Sequence, residues 1–188
     1  LEHMRQHGIY RLVVPLLEKS SVAADDVLLS LVAMELARHA SDFPDIIFSI
    51  ESDLSPFKIN KMFDICKAVM GLQEYMHVGI DRFTVTFDTG NLARLGLDLE
   101  HYIDELWTRG IFIDNVHIKD VECNLLMKPT IKLGAGTVDV SVINAIRAEN
   151  GGMQPTYTFQ TARAPGDEIK TFKHNKRFME KLFNAKKR

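Results

Sequence analysis

Strand-like and helix-like segments alternate five times along this chain, and that alternation limits its fold more than any other feature. The strand-like runs are 9–16 (IYRLVVPL), 46–51 (IIFSIE), 83–88 (FTVTFD), 111–119 and 156–162 (TYTFQTA). Helical periodicity fills the gaps at 23–40, 56–70, 98–109, 139–149 and 167–184. Such a β-α repeat predicts a parallel sheet with right-handed crossovers. Asp25 and Asp26 suit the first turn of the first of these helices, which is expected to turn Val27, Leu28, Leu31, Met34 and Leu36 inward. Ser55-Pro56 reads as an N-cap followed by a first helical residue. Leu99, Ile103, Leu106 and Trp107 share one helix side; Val142, Ile143 and Ile146 face inward on the next. The last helix carries Phe172, Phe178, Met179, Leu182 and Phe183. No Gly-rich loop follows the first strand, which argues against a dinucleotide-binding doubly wound sheet.

The strands carry a second pattern. Side chains alternate across a strand. Ile46, Phe48 and Ile50 oppose Ile47, Ser49 and Glu51. Phe83, Val85 and Phe87 oppose Thr84, Thr86 and Asp88. Phe112, Val116 and Ile118 oppose Asn115, His117 and Lys119, with Asp114 interrupting the apolar side. Tyr157 and Phe159 oppose Thr156, Thr158 and Gln160. One face is large and apolar, the other small and polar, with a functional group near the C-terminal end. Open α/β sheets buried on both faces usually show continuous apolar runs instead. A closed (β/α) barrel has an inner strand face of this kind, and its C-terminal rim forms the active site. Glu51, Asp88, His117 and Gln160 hold the rim position on four successive strands. Any one of them alone reads as a satisfied structural group; agreement across four strands favours a shared site. All offer oxygen or nitrogen, which suits Mn²⁺, Mg²⁺, Co²⁺ or Zn²⁺.

The 188 residues are enough for one domain, taken as 1–188, and 46% hydrophobic with 26% charged residues is ordinary for a globular protein. A net charge of −2 provides no basic footprint for nucleic acid. Lys181 and the terminal Lys186, Lys187 and Arg188 read as a solvated helix end. Cys66 and Cys123 form no CxxC pair, which fits a reducing, cytoplasmic setting. No apolar run approaches the roughly 18–20 residues of a membrane helix, so no membrane partner is expected.

The stretches IESDLSP (50–56), FDTGN (87–91), NVHIKD (115–120), LGAGTVDV (133–140) and FQTAR (159–163) resemble, in order and spacing, the second half of a sugar phosphate isomerase/epimerase. This superfamily is also called the xylose isomerase-like TIM barrels. The resemblance covers nearly the whole chain. It implies an α/β fold of (β/α) TIM-barrel type and an enzyme, an isomerase or epimerase of sugars or sugar phosphates. Such enzymes bind one divalent metal through Glu, Asp, His and Glu. Carried over by motif, these are Glu51, Asp88, His117 and Gln160. Glu51 is then the catalytic base beside the substrate carbonyl, and the metal stabilises the enediolate. Asn91, Lys119, Lys132 and Arg163 are the expected substrate contacts.

The sequence departs from that pattern. Gln160 stands in place of the last Glu: an amide oxygen can ligate but carries no charge and cannot act as a base. Weak or absent metal binding is the corresponding expectation. Two-base epimerisation loses a partner, whereas 1,2-isomerisation with Glu51 alone suffers less. Asn91 replaces a frequent His, and Val121 a frequent Arg. Barrels of this kind have eight βα units and about 250 residues; five units are counted here, with the N-terminal ones absent. Residues 1–8 then read as the end of a preceding helix. The missing strands are expected from a longer chain, a partner subunit or a second copy in a homo-oligomer. The alternative reading is a degenerate, non-catalytic barrel that binds sugar or serves in assembly. A relationship to endonuclease IV-like enzymes fits poorly, since these need more His ligands. Dehydratase-type lyase chemistry shares the same proton abstraction.

Overall fold

The computed structural model describes residues 1–16, 21–71, 82–122, 130–160 and 168–184. In chain order the elements are α1 (Glu2–Gln6), β1 (Arg11–Val14), α2 (Asp26–Asp42), β2 (Ile47–Glu51), α3 (Pro56–Val69), β3 (Phe83–Asp88), α4 (Thr89–Arg94) and α5 (Leu99–Thr108). There follow β4 (Ile113–Ile118), β5 (Asp120–Val121), β6 (Thr130–Ile131), a 3-10 turn (Val140–Val142), α6 (Ile143–Glu149), β7 (Thr156–Phe159) and α7 (Glu168–Asn184). The strand order of the main sheet is β1-β2-β3-β4-β7, and the registered pairs are parallel. The five predicted strands are therefore all present, each followed by a helix. β5 and β6 form a short antiparallel pair that the sequence pattern did not reveal, and α4 is likewise additional.

The chain divides into two compact units, Leu1–Thr86 with Glu105–Phe112 and Phe87–Asp104 with Ile113–Arg188. In the first, α2 packs against α3. The side chain of Asp25 caps α2 by accepting from the N–H of Val27 and Leu28. Ser55 caps α3, with Pro56 at its start as expected. Phe48 and Phe63 lie 6.1 and 5.8 Å from the Phe83 ring, forming the aromatic centre of this unit. Each such buried ring contributes about 1.5–3 kcal/mol. On the opposite strand face the Ser49 and Thr86 hydroxyls meet at 2.7 Å. The large-apolar and small-polar faces of β2 and β3 are thus as the alternation predicted.

The buried face of α2 is not the predicted one. Leu29, Ala33, Leu36, Ala37 and Ala40 are buried, whereas Val27, Leu28, Leu31 and Met34 are exposed. Of the predicted set, Leu36 alone points inward. The reason is the close approach that alanine permits: the Cys66 thiol of α3 donates to the Ala33 carbonyl at 3.2 Å. Small residues mark this contact, and weighting by side-chain size selects the wrong stripe.

In the second unit β4 is buried along its full length, including Asp114, Asn115 and His117. Asn150, just after α6, binds both backbone groups of Ile113 and ties that helix to the start of β4. Val142, Ile143 and Ile146 are buried as expected. β7 is the last strand of the order, and its Thr156 and Thr158 are exposed. α7 covers its other face through Tyr157–Phe183 and Phe159–Phe172 ring contacts at 5.3 and 6.1 Å. Met179 is buried there, but Phe172 stays half-exposed.

Candidate functional site

Asp88 ends β3 and begins α4. Its Oδ1 accepts from the Asn91 N–H at 2.8 Å and so caps the helix. That leaves Oδ2 for the site. There the Lys119 ammonium approaches to 2.8 Å and His117 Nδ1 to 3.6 Å. Burial alone would push the fully buried Asp88 carboxyl up; the His117 ring, the Lys119 charge and the Asn91 N–H outweigh it and hold it below the usual carboxylate range.

Gln160 arrives from β7. His117 is registered with Thr158 and Ile118 with Phe159, and the Gln160 N–H then donates to the Ile118 carbonyl at 3.1 Å. The amide is thereby set beside two residues of the β4 end. Its Oε1 accepts from Lys119 Nζ at 3.0 Å, and its Nε2 lies 2.7 Å from His117 Nδ1. Because an ammonium only donates, Oε1 must be the atom facing it, and the amide N–H then points at the imidazole. His117 Nδ1 thus lies between the Gln160 amide at 2.7 Å and Asp88 Oδ2 at 3.6 Å.

Two residues that the sequence reading gave no role build this arrangement. The Thr89 hydroxyl donates to the Lys119 carbonyl at 2.7 Å and accepts from the Lys119 N–H at 3.0 Å, pinning α4 to the end of β4. Asp120 is fully buried and accepts four backbone N–H groups, from Val121, Gly134, Gly136 and Val138. It ties HIKD to the LGAGTVDV loop. The signal was present as an Asp followed by two spaced glycines.

The structure therefore joins Asp88, His117, Lys119 and Gln160. Glu51 ends β2, buried, with Thr86 as its register partner on β3, two residues before Asp88. Asn91 contributes its backbone to Asp88, and its side-chain oxygen accepts from Arg94 at 3.4 Å. Lys132 is exposed and shares no hydrogen bond or ion pair with this cluster among the described residues. Arg163 and Cys123 lie outside the described residues. The donors suit a divalent ion in chemical type: carboxylate, imidazole and amide oxygen. The Asp88 carboxylate already holds a cation, the Lys119 ammonium. No helix among the described residues is long and apolar enough to cross a membrane.

No family model and no curated protein matches the chain. Among solved structures it is similar to a D-tagatose 3-epimerase-like protein, with a TM-score of 0.66 and 16% identity. That match covers 98% of this chain and 67% of the other. The chain has the fold of that protein, an incomplete TIM-barrel type. A probable 3-DHS dehydratase, AsbF, involved in petrobactin synthesis in Bacillus anthracis, matches at a TM-score of 0.45 and 14% identity, over 97% of this chain and 80% of that one. The first likeness bears out the barrel fold that the xylose isomerase-like resemblance implied.

Proposed function

We propose that this chain belongs to a sugar or sugar-phosphate isomerase or epimerase that moves a proton next to a carbonyl through an enediolate. The observation that carries the reading is the buried Asp88–His117 pair, with Gln160 on the imidazole, at the C-terminal ends of parallel strands. This is where such folds assemble chemistry. Asp88, His117 and Gln160 would hold a divalent ion, which would supply charge stabilisation for the enediolate oxygens. The chain's own work is proton handling. Glu51 is the base: a buried carboxylate on the polar strand face, following Ser49 at the same parity. Gln160 cannot take a proton, so a single-base route is favoured.

The test is solvent exchange. The protein is incubated with Mn²⁺ and a panel of ketoses, aldoses and their phosphates in D₂O. Deuterium is expected at the carbon beside the carbonyl. Glu51→Gln is expected to lower incorporation by about 10²–10⁴-fold with an unchanged urea midpoint. Normal turnover in that variant would remove Glu51 from the role of base.

A second reading has its own observation. Gln160 spends its amide on Lys119 and His117, which is what a site retired from metal chemistry would show. In a non-catalytic sugar-binding or assembly protein, substrates would bind without any exchange, with or without metal.

A further inference from the structure

We propose that the Lys119 ammonium is the resident cation of this site, a tethered occupant that a divalent ion must displace. Metal binding is then weak because of competition and not for want of ligands. The inference rests on the metal-assisted reading above, since it assigns the same donors two alternative cations.

Four observations converge. Lys119 Nζ bridges Asp88 Oδ2 at 2.8 Å and Gln160 Oε1 at 3.0 Å, the two oxygens of the expected ligand set on those strands. The residue is only 8% exposed, so its charge has been taken out of water and needs these acceptors. By fixing Gln160 Oε1 on itself, the ammonium turns the amide N–H onto His117 Nδ1 at 2.7 Å. One lysine thus sets the state of three candidate ligands. Its course is also built in. The stem runs over Gly90, where an added Cβ would collide with Lys119 Cγ, and Thr89 clamps the Lys119 backbone from both sides. A surface lysine that merely swings onto a nearby carboxylate needs neither device.

An ammonium and a divalent ion cannot share one carboxylate oxygen and one amide oxygen. Entry of the ion requires Nζ to leave and Gln160 to release His117. The experiment is calorimetric titration of MnCl₂ into the natural protein and into Lys119→Met, which keeps a stem over Gly90 without the charge. Mn²⁺ is expected to bind the variant tighter by roughly tenfold or more, because the buried Asp88 charge is left uncompensated. A second measurement uses the natural protein alone. Acetic anhydride labelling read by mass spectrometry should find Lys119 protected without Mn²⁺ and acetylated at saturating Mn²⁺. Equal affinities, or Lys119 labelling unchanged while Mn²⁺ binds, would overturn the competition and leave the metal site standing. No binding to either protein at millimolar Mn²⁺ would overturn the competition together with the metal-assisted reading.

Discussion

Gly90 and Lys119 are in contact so close that a Cβ at position 90 would collide with Lys119 Cγ and lie 2.9 Å from its Cδ. Two effects oppose each other in Gly90→Ala. Alanine gains about 1 kcal/mol in helix propensity, and overpacking costs about 1–3 kcal/mol. The contact is with Lys119 Cγ, and the side chain's course is held at its far end by Asp88 and Gln160. The clash is therefore expected to win, with a net loss of up to about 2 kcal/mol in urea denaturation. Repeating the substitution in a Lys119→Ala background should shrink the cost by at least about 1 kcal/mol, a coupling typical of touching residues. Equal costs in both backgrounds would show that Lys119 is not what Gly90 accommodates.

Asp120 is expected to be one of the most costly positions in the chain, without touching any ligand. Its two oxygens accept the N–H of Val121, Gly134, Gly136 and Val138 at 2.9–3.1 Å, and Gly136 has no room for a Cβ against it. Each buried N–H left unpaired costs about 1–3 kcal/mol, and relaxation of the loop keeps the sum below four such losses. Asp120→Ala should lose at least about 3 kcal/mol. Amide exchange at Gly134, Gly136 and Val138 should accelerate in the same variant. Preserved protection of those three amides would mean that the loop holds itself.

The strands were legible because each has two unlike faces. Phe48 against Ser49, and Val85 against Thr86, are all buried, and their chemistry alone separates the large apolar face from the small polar one. The site positions on β3, β4 and β7 followed from the same parity. What escaped were features whose determinants are distant in sequence or small in size. The pairing of Lys119 with Gln160 depends on the register between β4 and β7, and its pairing with Asp88 on β3 lying on the other side of β4, neither of which a local pattern encodes. α4 is a helix of six residues capped by the same Asp88 that reads as a ligand, so a structural and a chemical role fell on one side chain. The α2 stripe was misjudged because alanine, the residue that brings helices closest, looks least like a core residue.

That reversed stripe has a direct consequence. Leu31 is 53% exposed and Leu29 fully buried, two residues apart on one helix. Leu31→Lys is expected to change the unfolding free energy by no more than about 0.5 kcal/mol. Leu29→Ala should cost about 2–5 kcal/mol. Similar losses at the two positions, measured by urea midpoints, would restore the side-chain-size reading of this helix.

Alkaline pH should probe the contact between α2 and α3. Burial, the largest influence, pushes the Cys66 thiol up to about 12 from an ordinary 9.0, and its Sγ donates to the Ala33 carbonyl at 3.2 Å. A folded-state value raised above the unfolded one stabilises fully below the unfolded value and is lost as pH rises through the folded value. The window therefore opens near pH 9 and extends toward 12. Between pH 9 and 10 the loss is about 1 kcal/mol, since only the unfolded chain releases the proton. Tyr157 is also raised to about 12, but from 10.0, so its own effect starts later. Comparing the natural protein with Cys66→Ala across pH 8 to 10 isolates the thiol. The variant is less stable at neutral pH because of the cavity, and its midpoint should fall less steeply with pH. Parallel curves would mean that the Cys66 thiol ionises as readily in the folded protein as in the unfolded chain, and that the α2–α3 contact is looser than the 3.2 Å hydrogen bond implies.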